Sequence, residues 1–163
     1  MKMLKLMRHA KSSWDNPNLA DFDRPLNARG LKDAPFMGSV IYDNKLGPDL
    51  IISSPAKRAK QTAVLVKETA EINTPIEYVD QIYEASPTTL LKIVSELSEK
   101  YDSVLLVGHN PGIEGFIKLL TGEIHSMPTA AFVKINLSIE KWSEIDTDCG
   151  SIEVIARPKE LMQ

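Results

Sequence analysis

The chain contains one cysteine, Cys149, so it can form neither an internal disulfide nor a cysteine metal cage. It has no run of about 18 uninterrupted apolar residues, the minimum for a helix that crosses a membrane. Lys5 and Arg8 break the N-terminal apolar stretch, which leaves no signal-peptide core, and a cytoplasmic location is expected. Basic residues do not cluster. The 19 Lys and Arg are scattered against 22 Asp and Glu, for a net charge of −3, which argues against a nucleic-acid-binding face. An anionic ligand therefore needs a local positive pocket. Internal repeats and low-complexity tracts are also absent. What remains, 163 residues with 43% apolar content, suits a single domain over residues 1–163 with one core, and a monomer is expected.

Strand-like and helix-like patterns alternate, which predicts an α/β fold: a three-layer α/β/α sandwich around a mostly parallel sheet. Asn27 can cap a helix whose stripe is Leu31, Ala34, Met37, Val40 and Ile41, with Pro35 expected to kink it. Ser54 is expected to cap a second helix with Pro55 in its first position and Ala59, Thr62, Ala63, Val66 and Ala70 facing inward. Ser86-Pro87 opens a third helix, and Asn110-Pro111 a fourth. From Ala130 onward the period changes to two, and Ile152 to Ile155 repeats the style, predicting antiparallel additions to the sheet. The longest irregular stretch, residues 11–25, includes Lys11 and Trp14 and is a candidate functional loop.

Three apolar runs end abruptly in polar residues suited to gripping a phosphate. Residues 3–7 run into Arg8-His9-Ala10, residues 50–52 into Ser53-Ser54-Pro55-Ala56-Lys57-Arg58, and residues 104–107 into Gly108-His109-Asn110. In an open parallel sheet the carboxyl ends of the strands face one crevice, so these tails can converge there. Phosphoryl transfer needs an in-line nucleophile and positive charge around the phosphoryl oxygens. Arg8, His9, Arg58 and His109 supply that set: one imidazole nitrogen attacks while the other is held by an acceptor, and each guanidinium can grip two oxygens. Two helix N-termini at the same crevice add free amides.

Arg8-His9-Ala10, Ser53-Ser54-Pro55 with Arg58-Ala59 and Gln61-Thr62, Gly108-His109-Asn110, and Arg24-Pro25-Leu26-Asn27 with Arg29-Gly30 together resemble the motif blocks of the histidine phosphatase superfamily. These are relatives of the cofactor-dependent phosphoglycerate mutases, and the likeness is to the SixA-type phosphohistidine phosphatases among them. The resemblance implies a phosphoglycerate mutase-like fold, transient phosphorylation of His9, and phosphoryl binding by Arg8, Arg58 and His109. It implies no metal and no cofactor, and a phosphohistidine-bearing protein as partner and substrate. Ala10 stands where the family has glycine, and the acid of the mutase branch finds its candidate in Glu84.

Alternatives stay open at several positions. Arg58 has Glu68 and Asp49 as possible ion-pair partners. Arg24 and Arg29 either form the rim of the site or pair locally with Asp21, Asp23 or Asp33. Ser53 either contacts substrate or ties down its turn, and Asn110 is an N-cap that can also touch phosphate. Trp14 and Lys11 can line the entrance, although Trp14 reads first as packing the long loop onto the domain; His125 reads as a loop residue and Cys149 as a bystander. Rival functions are a phosphatase or mutase for small phosphate esters, a non-catalytic phosphate-binding module, and a zinc hydrolase built on His9, His109 and His125.

Overall fold

The apolar runs assemble into one six-stranded sheet with helices on both faces. The computed structural model describes residues 1–162. Its strands are β1 (Lys2–Arg8), β2 (Leu50–Ser53), β3 (Ile76–Tyr78), β4 (Ser103–Gly108), β5 (Phe132–Leu137) and β6 (Gly150–Ala156). Their order across the sheet is β3-β2-β4-β1-β5-β6. The first four run parallel; β5 is antiparallel to β1, and β6 to β5, as the period-two pattern predicts.

The helices are α1 (Ala28–Asp43), α2 (Lys57–Thr69), α3 (Pro87–Ser95), α4 (Gly112–Thr121) and the short α5 (Pro158–Leu161). Leu4, Leu6, Val104 and Leu106 pack with Leu90 and Val94 of α3 and Phe116 and Ile117 of α4. Met7, Ile51, Leu105 and Val107 face the other way, onto Ala34 and Met37 of α1 and Ala63 and Val66 of α2. Burial on both faces is why β2 and β4 read as continuous apolar runs. Each large apolar side chain taken fully out of water there contributes about 1.5–3 kcal/mol.

Asn27 caps α1 by accepting from Gly30 N, and Ser86 caps α3 by accepting from Thr89 N. The expected stripe of α2 is buried throughout. Three local expectations need correction. Leu31 is 51% exposed and lies outside the inner stripe of α1, which continues through Pro35 to Asp43. The second helix starts at Lys57, with Ala56 (φ −56°, ψ 140°) in the cap position, and the Ser54 hydroxyl is engaged by Ala56 N and by His109. The fourth starts at Gly112 with Pro111 in the cap position; Asn110, one residue earlier, still accepts from Glu114 N of the first turn through Oδ1 at 3.4 Å, while its Nδ2 donates to the Glu114 carboxylate and to Met127 O.

Candidate active site

Strand register decides which tails meet. Arg8 pairs with Gly108 across β1 and β4, and Ser53 with Val107 across β2 and β4. The next residues, His9, His109 and Ser54, therefore leave the sheet side by side. The His9 and His109 rings lie 5.1 Å apart between centroids, tilted by 52°. His9 N bonds Gly108 O at 3.0 Å, and Ala10 N bonds the Thr62 hydroxyl, which itself donates to Arg58 O, so the first strand end is tied to α2. The Ala10 methyl, in place of the family's glycine, is fully buried among the α1 and α2 side chains.

His9 is 7% exposed, and its Nδ1 donates to its neighbour's carbonyl, Ala10 O, at 2.7 Å. That bond leaves Nε2 without a protein partner among the described residues. Arg8, His9, Arg58 and His109 wall a pocket of about 260 Å³, which Lys11, Trp14, Arg24, Asn110 and Thr129 also line. Two buried polar atoms here have no partner among the described residues: Arg8 Nε and His109 Nδ1. A second hollow of about 480 Å³ shares Arg58, His109 and Asn110 with the first and is bounded by Asp21, Tyr83 and Glu84.

Burial dominates the electrostatics. Desolvation pushes His9 down to about 3, and His109 and the two arginines reinforce the shift. His109 falls to about 4 for the same leading reason, with Arg58 adding to it. Both imidazoles are thus neutral at neutral pH. His109 Nε2 lies 2.8 Å from the Ser54 hydroxyl.

Asp21 links the two hollows. Its carboxylate accepts from Tyr83 at 2.7 Å, from Arg58 Nη2 at 3.0 Å and from Arg24 Nη1 at 3.0 Å, and its carbonyl accepts from Arg58 Nη1 at 2.7 Å. These bonds, Tyr83 first, hold the Asp21 carboxyl at about 2, while burial and then Asp21 push the Tyr83 hydroxyl to about 12. Asp21 is therefore an anion and Tyr83 a neutral donor.

Of the residues singled out in the sequence, Arg8, His9, Arg24, Arg58, His109 and Asn110 come together in the first pocket. Glu84 lines only the second and is exposed. Ser53 lines neither: its hydroxyl is fully buried and donates to Ser54 O, and it is the buried Ser54 hydroxyl that meets a site residue, His109. One residue of offset separates the two because successive strand side chains point to opposite faces. Arg58 pairs with Asp21, not with Glu68 or Asp49, and Arg29 pairs with Asp33 at 3.2 Å, away from the pocket. Trp14 does not pack the loop onto the domain: it is 73% exposed. His125 bonds Glu123 at 3.0 Å and does not join the other two histidines. Asp21, Ser54, Tyr83 and Thr129 were missed as site residues; the Asp-x-x-Arg spacing of Asp21 and Arg24 signalled a local pair but nothing of Arg58.

The profile of the histidine phosphatase superfamily (branch 1) matches residues 4–90, which carry β1 to the start of α3. A SixA structure from Agrobacterium tumefaciens, described as a candidate phosphohistidine phosphatase, superposes with a TM-score of 0.84 at 29% identity, covering 96% of this chain and 98% of that one. The uncharacterized protein ML1117 of Mycobacterium leprae is 28% identical over 166 residues, 94% of this chain and 100% of its own length. The uncharacterized phosphatase PhoE of Bacillus subtilis is 26% identical, over 93% of this chain and 96% of its own. With two histidines and two arginines brought together where the strand ends meet α2, these likenesses mean that the chain belongs to the histidine phosphatase superfamily.

Proposed function

We propose that this chain is a phosphatase that takes a phosphoryl group onto His9 Nε2 and passes it to water, with protein phosphohistidine as its substrate. The observation that carries the reading is the Nδ1 bond to Ala10 O: it fixes the tautomer in which Nε2 bears the lone pair, on a neutral ring beside two arginines. In the first step the N–P bond to His9 forms as the bond to the leaving group breaks. In the second, water attacks phosphorus, the bond to His9 breaks and inorganic phosphate leaves. Arg8 and His109 line the pocket beside His9, and each keeps a buried nitrogen without a partner among the described residues, Arg8 Nε and His109 Nδ1, which supports phosphoryl binding by these two side chains. The phosphoryl group also takes over part of the Arg58 donor set now engaged by Asp21. Phosphoryl binding and catalysis here are mostly a matter of positioning and charge.

The available acids support the choice of a phosphoramidate over an alkyl ester. An alkoxide leaving group needs a proton from a positioned acid. Asp21, at about 2, cannot supply one, which leaves the exposed Glu84. An imidazole, once protonated on its far nitrogen, departs as a neutral molecule and needs no such donor. The likeness to the Agrobacterium tumefaciens SixA supports the same choice.

The test is an alkaline quench during turnover followed by mass spectrometry. A phosphoryl adduct on His9 is expected; His9→Ala should abolish it and lower kcat by roughly 10³-fold or more, and His109→Ala should slow its formation. Phosphate affinity without hydrolysis or adduct would point instead to a binding module. Turnover of sugar and glycerate phosphates, with none of a phosphohistidine protein, would overturn the substrate assignment.

A further inference from the structure

Trp14 is not explained by phosphoryl binding. Its indole is 73% exposed, an unusual state for a side chain whose burial is strongly favourable. It is nevertheless held in place. The Arg24 guanidinium lies against one face, with Cζ 3.2 Å from the ring centroid. Arg24 is itself 7% exposed and anchored by bonds from Nε to Ser13 O, Nη2 to the Ser12 hydroxyl and Nη1 to Asp21. Ser12 in turn bridges to Leu26. The indole thus stands on a rigid base with its opposite face uncovered.

Its surroundings say what that face is for. Arg8, Lys11, Arg24 and Arg58 line the same pocket as cations, and among the described lining residues Trp14 is the one large apolar side chain. An aromatic face carries the negative side of the ring quadrupole and repels a phosphoryl oxygen. Trp14 therefore serves the group to which the phosphoryl is attached. We propose that the free face of Trp14 is a stacking platform for a planar ring in the leaving group, making it a specificity determinant that favours ring-borne phosphoramidates, imidazole foremost. The inference rests on the phosphatase reading above. Because Arg24 fixes the indole beforehand, little conformational freedom is lost on stacking.

Phosphoimidazole and the phosphoramidate ion test this directly, since both present a P–N bond and only one carries a ring. Stacking of a planar ring on an aromatic side chain is strong enough for a change of about tenfold or more. In Trp14→Ala and Trp14→Leu the ratio of kcat/KM for phosphoimidazole over phosphoramidate should fall by about that factor, chiefly through KM. Trp14→Phe should restore most of it. An unchanged ratio in both the alanine and leucine variants, with both compounds cleaved, overturns the proposal and makes Trp14 a mere support for Arg24. Should Trp14→Ala misfold, the leucine and phenylalanine variants decide alone, since both keep apolar bulk and only one keeps a ring face. A wild-type protein that cleaves neither compound overturns the phosphoramidate substrate assignment, and the proposal with it.

Discussion

At the scale of single residues, the two histidines set the pH behaviour. Unfolded imidazoles titrate near 6.5, whereas burial holds His9 at about 3 and His109 at about 4 in the folded chain. Between those values the unfolded state binds protons that the folded state does not. Stability is therefore fully present above pH 6.5 and is lost progressively as the pH falls toward 4 and then 3. Urea midpoints should be lower at pH 5 than at pH 7.5, and His9→Asn should shrink the difference. In NMR titrations the His9 and His109 ring protons should show no titration step between pH 5.5 and 8. A step near 6.5 for either ring would mean that its burial is weaker than described.

At the scale of elements, the site depends on how tightly the loop of residues 11–25 is seated against α1. Gly30 lies in the first turn of α1, where an added Cβ would run into the carbonyl oxygen of Lys11, an oxygen that also accepts from Asn27 N at 3.0 Å. Gly30→Ala should therefore destabilise the chain by about 1–3 kcal/mol, read from urea unfolding. It should also lower kcat/KM, because the displaced backbone carries the loop that holds Trp14 and Arg24. The same close approach gives a physical reason for the Arg29-Gly30 pair noted in the sequence: the glycine admits the Lys11 backbone, while Arg29 pairs with the buried Asp33.

At the scale of the whole molecule, the pocket joins β1, α2 and β4, so filling it should stabilise the fold cooperatively. A tetrahedral oxyanion such as vanadate should raise Tm in a concentration-dependent way, equivalent to about 2.7 kcal/mol at a hundred times its Kd. Arg58→Ala removes one of the arginines and should weaken vanadate binding at least about tenfold, read by calorimetry. An Arg58→Ala protein that retained the full Tm increase would show that the anion sits elsewhere. Among the described residues no helix is long and apolar enough to cross a membrane, in line with the composition.

What the amino-acid order determined by itself was whatever rests on local chemistry and period. The caps at Asn27 and Ser86, the inward stripe of α2, the doubly buried strands, the antiparallel close and the histidine and arginine tails are of this kind. Tertiary structure alone decided the rest. Alignment of Arg8 with Gly108 puts the two imidazoles in contact, and a one-residue offset turns Ser54 to His109 while Ser53 is buried. Asp21 crosses 37 residues of chain to claim Arg58 over nearer acids. Strand register and the choice among competing ion pairs are set by contacts between distant segments, and no local pattern encodes them.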